Sequence, residues 1–195
     1  YFLQEHEYYC AVACIQMWAA YDGNSVTQQQ IANFTGLNSA GVQPMDILRG
    51  VAHFTRSPGE LLMKGGHFKG AQGDLIGATI TGIKNGIPSI MPMNQNHVML
   101  IKGYKWRENA DEKPFAINVW LHDPNGMPNR KWTAGQLSVE FQPCPFYYWV
   151  IVGFPEFENL GLNGHNAFVL QGGTYYGGPS VYDPKGLSPD PSLPN

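Results

Sequence analysis

Residues 4 to 21 read QEHEYYCAVACIQMWAAY, a polar loop that runs into a helix with Cys10 at the junction. From Cys10 onward the apolar side chains recur at helical spacing, at Ala13, Cys14, Met17, Trp18 and Tyr21. That spacing predicts a helix with Cys10 in its first turn. The free N–H groups and the positive dipole end of a first turn favour a thiolate, the nucleophilic form of cysteine. Gln4 stands six positions upstream. A loop of that length can fold back and aim the Gln4 amide at an oxyanion formed beside Cys10. A lone cysteine is more often a small buried hydrophobe, so the rest of the chain has to decide.

Outward from this helix, Asp22-Gly23-Asn24 is turn chemistry. Ser25 reads as an N-cap with Gln28 as its capping-box partner, which predicts a helix over Val26–Phe34 that ends near Gly36. A third helix is expected over Gly41–Phe54, with Val42, Met45, Leu48, Val51 and Ala52 on one face. Residues 55 to 73 are Gly-rich and predict a loop with a short strand at Leu61–Met63. Asp74–Lys84 has helical spacing and stops at Asn85-Gly86.

The pattern then changes period. Strands are expected at Ile87–Met93, Val98–Tyr104, Phe115–Leu121 and Phe146–Phe154. Trp106–Pro114 reads as a polar hairpin loop. His122-Asp123-Pro124-Asn125-Gly126 is a strong turn signal. Trp132-Thr133 reads as the opening of a short helix. Helices first and strands second argue for an α+β fold, with helices packed on an antiparallel sheet.

Composition narrows the function. The 195 residues are 43% hydrophobic and 13% aromatic, enough for a substantial core. Charged residues make up 14%, against roughly 25% in ordinary soluble domains. A net charge of −3 without a basic run disfavours nucleic acid and acidic membranes as partners. No apolar run reaches the ~18 residues of a membrane span. Three cysteines (Cys10, Cys14, Cys144) are not a disulfide framework and show no zinc spacing, so no metal or other cofactor is expected. Cys14 and Cys144 are left either to pair or to stay buried. Low charge with abundant aromatic, Asn and Gly residues leans toward a secreted or periplasmic protein.

His97 opens one expected strand and Asp123 closes the next. In an antiparallel pair the start of one strand lies beside the end of the other, so the two can be neighbours although 26 positions apart. An imidazole that activates a thiol needs this arrangement, one nitrogen toward sulfur and the other toward an orienting carboxylate. Taken singly, Asp before Pro is usually a turn former and a lone His usually structural. Their joint occurrence with Cys10, in the order such a site requires, is the signal.

These motifs together resemble the papain-like cysteine peptidases of the C39 type, the family that includes the leader-processing domains of bacteriocin exporters. The resemblance lies in Gln4, Cys10, Ala11–Cys14, Met17 and Tyr21-Asp22-Gly23. It continues through Gly86-Ile87-Pro88-Ser89-Ile90, His97 to Tyr104, Asp123-Pro124 with Gly126, and Trp132, about residues 3–140. It implies a papain-like fold with Cys10 as nucleophile, His97 as base, Asp123 as its orienting acid and Gln4 as oxyanion donor. The implied activity is hydrolysis of a peptide or amide bond in a peptide or protein substrate. Acyl transfer, or a non-catalytic binding role on the same fold, is the alternative. Two positions depart from the pattern: Ala11 stands where Gly usually follows the cysteine, and Tyr9 where the exporters carry Asp.

The tail repeats part of the layout. His165 precedes an apolar run, and Asp183-Pro184-Lys185-Gly186 follows it. The Gly86-Ile87-Pro88 entry and Trp132 belong to the first copy alone, so His97 and Asp123 are the preferred pair. The expected organisation is a catalytic domain over 1–155 and an extension over 156–195, a hairpin on the sheet followed by a Pro-rich tail.

Overall fold

The computed structural model describes residues 1–57, 59–65, 71–93, 96–108, 114–142, 147–153, 167–171 and 174–177. Three helices come first: α1 (Cys10–Tyr21), α2 (Gln28–Thr35) and α3 (Pro44–Phe54). Strand β1 (Gly59–Gly65) and helix α4 (Ala71–Lys84) follow. Next are β2 (Ser89–Met93), β3 (His97–Glu108), β4 (Pro114–Asp123), β5 (Met127–Thr133) and α5 (Ala134–Glu140). The last described elements are β6 (Tyr147–Gly153), β7 (Ala167–Gln171) and β8 (Thr174–Gly177). The described strands form one sheet in the order β5-β4-β3-β2-β6-β1-β7-β8, with neighbouring strands antiparallel.

The sheet has a core on each face. Successive residues of a strand point to opposite sides. Leu61, Ile90, Leu100 and Ile151 therefore pack against α1, α2 and α3. Their chain neighbours Leu62, Met91, Ile101 and Val150 join the core formed with α4 and α5. Burial on both faces is why β2 and β6 read as unbroken apolar runs rather than alternating ones. Helix α1 is buried from Ala11 to Ala19. Helix α4 lies across the sheet from α1 to α3, so the helices do not all share one face. None of the described helices is long and apolar enough to cross a membrane.

Several boundaries differ from expectation, each for a physical reason. The capping box of α2 is Thr27 with Gln30, not Ser25 with Gln28. Both frames fit the motif, but Gln28 is almost wholly buried and bonded elsewhere. Helix α3 begins at Pro44 rather than Gly41, because Pro is accepted at the first helical position. Gly41 instead takes a left-handed turn, φ 86°, and bridges Asn38. Strand β1 runs from Gly59 to Gly65, beyond Leu61–Met63 at both ends. Trp132 belongs to a strand, β5, and only Thr133 serves the helix, as the N-cap of α5 with Gln136 as its box partner. Cys144, His165, Asp183 and the Pro-rich tail lie outside the described residues.

Candidate active site

The nucleophile candidate sits where the sequence predicted. Cys10 is the first residue of α1, half-buried, and Tyr9 before it makes no side-chain cap. The next turn registers the helix on the sheet. The Cys14 thiol is fully buried and donates to the Val98 carbonyl at 3.6 Å. Val98 follows His97 directly, so this contact sets Cys10 against the start of β3. Burial pushes the Cys14 thiol pKa well up, with the neighbouring Cys10 adding to it. Both cysteines are free thiols.

The sheet register brings the other two candidates together. Leu100 on β3 lies across from His122 on β4, so the start of one strand meets the end of the other. His97 Nε2 is 2.7 Å from Asp123 Oδ1. The other ring nitrogen, Nδ1, is thereby left free of Asp123, and Cys10 is near enough to raise the His97 pKa. Burial alone lowers the His97 pKa. The interactions with Cys10 and Asp123 outweigh it, and the net shift is upward.

Asp123 is 3% exposed and densely held. The Asn125 N–H donates to Oδ1 at 3.0 Å, and Arg130 Nη1 donates to Oδ2 at 2.9 Å. Burial raises its pKa, but the Asn125 N–H, His97 and Arg130 together bring it below the usual value. The Arg130 guanidinium also rests over the Trp132 ring, 4.7 Å from its centroid. Arg130 escaped the sequence reading because the strand that carries it did. Met127 and Lys131 of β5 are exposed and only Trp132 is buried, which leaves no alternation to read.

Gln4 comes back against the same turn. Its N–H donates to the Pro124 carbonyl at 3.0 Å. Its side chain lines one groove with Cys10 and His97. Gln4 Nε2 donates to the His6 carbonyl at 3.2 Å, while Oε1 is buried without a partner. An amide nitrogen has two hydrogens, so one N–H remains to be offered to a ligand. The groove has a volume of about 640 Å³. Glu7 and Tyr8, residues 39–44 and Trp149 also line it. Tyr8 holds φ 69°, a conformation rare for a bulky residue. Among the described residues, no group of three His, Cys, Asp or Glu side chains is placed to hold a metal ion.

The sequence model of the Peptidase_C39 like family matches residues 1–144. No functionally curated sequence matches the chain. Among solved structures, the fold is similar to a double glycine motif protease from an AMS/PCAT transporter, crystallised with its leader peptide. That pair shares 18% identity with a TM-score of 0.51, over 80% of this chain and 90% of the other. It is also similar to the peptidase domain of Streptococcus ComA, a bi-functional ABC transporter of a quorum-sensing pathway. There the identity is 13% and the TM-score 0.54, over 80% and 97% of the two chains. A structure assigned as a C39-like peptidase from Bacillus anthracis gives 14% and 0.52, over 80% and 94%. Identities this low speak to the fold alone.

Proposed function

Because this chain belongs to the Peptidase_C39 like family, we propose that it is a cysteine peptidase that opens a peptide bond through a thioester at Cys10. The observation that carries the reading is the imidazole of His97, bonded to Asp123 through Nε2 and lining one groove with Cys10. In the proposed step His97 takes the thiol proton and the sulfur attacks the carbonyl carbon. The C–N bond breaks as His97 returns that proton to the departing amine. Water, deprotonated by the same ring, then opens the thioester and releases the acid. Asp123 stays ionised and holds the ring in position, with Arg130 and the Asn125 N–H keeping its charge in place. Gln4 and the main-chain N–H of Cys10 are the oxyanion donors, and one such donor contributes roughly 2.7–4 kcal/mol. Ala11 keeps its main-chain amide, so the departure from Gly leaves the backbone donors intact.

The groove beside Cys10 has the volume for an extended peptide segment, and the related double glycine motif protease was crystallised with a leader peptide. Both support a peptide or protein substrate. We assign the peptidase unit to residues 1–155 and treat 156–195 as an extension. The test is a peptide library of natural sequence diversity, incubated with wild type and with Cys10→Ala and read by mass spectrometry. New termini should appear with the wild type alone, with a brief acyl adduct on Cys10. Equal cleavage by Cys10→Ala would overturn the proposal.

A further inference from the structure

We infer that Gln28 is the positioning residue of the oxyanion donor, fixing Gln4 to the helix that carries Cys10; this rests on the role given to Gln4 above. Gln28 opens α2 and is 1% exposed. A buried amide needs partners for both ends, and these partners flank Gln4. The Glu5 N–H donates to Gln28 Oε1 at 3.0 Å, and Gln28 Nε2 donates to the Leu3 carbonyl at 2.6 Å. One side chain thus grips the main chain immediately before and immediately after Gln4.

The grip is referred to the nucleophile through a second buried amide. Gln28 Nε2 also donates to Gln16 Oε1 at 3.0 Å, and Gln16 Nε2 donates to the Val26 carbonyl at 2.8 Å. Gln16 stands on α1, within two turns of Cys10. The Gln4 N–H is meanwhile held by Pro124, next to Asp123. The main chain of residue 4 is therefore tied to α1 through Gln28 and Gln16, and to the turn that carries Asp123. Only its side chain keeps freedom to turn from His6 toward a ligand. Such restraint matters because an oxyanion donor acts within about 2.7–3.1 Å, and a displacement near 1 Å can cost about 10²-fold in rate.

A purely structural role, joining α2 to α1, makes different predictions, and a double-mutant cycle separates the two. The substrate is a fluorogenic peptide whose sequence the wild type cleaves in the library screen. Gln28→Met keeps the length of the side chain and removes its hydrogen bonds. It should lower kcat roughly 10- to 100-fold with KM within about twofold. The rate of Cys10 alkylation by iodoacetamide, which forms no oxyanion, should be unchanged. In a Gln4→Ala background the same substitution should have no further effect on kcat. Full additivity, a parallel fall in alkylation, or a wild-type kcat in Gln28→Met would each overturn the inference. Should Gln28→Met fail to fold, Gln28→Glu takes its place. A protonated carboxyl supplies one donor and one acceptor, enough for the Glu5 N–H and one of the two donations, so its kcat relative to wild type should recover in part as pH falls from 8 to 5. A pH-independent ratio would refute the clamp. If Gln4→Ala alone retains wild-type kcat, the oxyanion role of Gln4 fails instead, an outcome distinct from a slow Gln4→Ala beside an unimpaired Gln28→Met.

Discussion

Glu60→Gln should remove a loss of stability that builds up between pH 4.5 and about 8. Glu60 lies in β1, paired with Val152 of β6 on one side and Val169 of β7 on the other. It is 1% exposed, and neither carboxyl oxygen has a hydrogen-bond partner. Desolvation pushes its pKa from the ordinary 4.5 up to about 8. The folded protein therefore holds a proton there that the unfolded chain releases near pH 4.5. Between these values the native state binds more protons than the unfolded state, so stability falls as pH rises. Below pH 4.5 the neutral carboxyl imposes no ionisation penalty; above about 8 the full penalty applies. At ~1.36 kcal/mol per pH unit, the gap between 4.5 and about 8 amounts to about 5 kcal/mol. That is of the order of a domain's whole stability.

Glutamine matches the shape of Glu60 and does not ionise. Urea unfolding of both proteins at pH 5, 6, 7 and 8, with matched m-values, isolates the contribution. Other titrating groups cancel in the difference. Wild-type stability relative to Glu60→Gln should fall by roughly 1 kcal/mol for each pH unit between 5 and 8. A flat difference over that range, or one that favours wild type with rising pH, would refute the argument that burial without a partner governs this carboxyl.

Iodoacetamide at neutral pH should modify Cys10 ahead of Cys14 by roughly tenfold or more, since Cys14 is fully buried with its thiol pKa pushed up; peptide mapping that finds Cys14 labelled first would reverse the assignment. His97→Ala should lower kcat roughly 10²- to 10⁴-fold. Asp123→Asn should be milder, because the amide oxygen can still accept from the ring at Nε2; equal losses in a peptide-cleavage assay would count against that. Gly153→Ala should destabilise by about 1–3 kcal/mol in a thermal melt, because a Cβ there would lie 1.9 Å from Ile87 Cγ2 and 3.0 Å from Trp18. Tyr8→Gly should stabilise by about 0.5–1 kcal/mol in urea unfolding, because the left-handed conformation of Tyr8 is relieved and its side chain, 47% exposed, loses limited packing. An unchanged or lower urea midpoint would show that Tyr8 carries no strain.

The legible parts of this fold are those where burial wrote a period into the sequence. Helix α1 shows helical spacing from Cys10, and the central strands show continuous β-rich apolar runs. His97 and Asp123 were readable because a strand start and a strand end must meet in an antiparallel pair. Strand β5 was not readable. It is an edge strand whose side chains are mostly exposed, so nothing selects an alternating pattern, and Arg130 was lost with it. Gln28 was misread because two Ser/Thr-to-Gln frames overlap at the start of α2. Only the tertiary partners Leu3, Glu5 and Gln16 decide between them. The short strand expected at Leu61–Met63 likewise left out Glu60, whose carboxyl the structure buries within the strand.

What joins the scattered residues is the turn that follows β4. The pairing of β4 with β5 shifts by one residue between Leu121 and Asp123, and bulges of this kind re-aim side chains beside sites. Through its side chain Asp123 holds His97 and Arg130. Through their carbonyls Asp123 accepts the Tyr1 hydroxyl at 2.7 Å and Pro124 accepts the Gln4 N–H. The Tyr1 hydroxyl accepts in turn from the Gly126 N–H at 3.1 Å. One short turn thus fixes both the partner of the imidazole and the main chain that carries Gln4, while Cys14 and Gln16 fix α1 from the other side. Residues 4 and 10 are far in sequence from 97 and 123, yet each of the four is held by main-chain contacts within a residue or two of its own position or by a partner one helical turn away. The site needs no long flexible segment to assemble, because the sheet register and two buried amides already determine where its side chains stand.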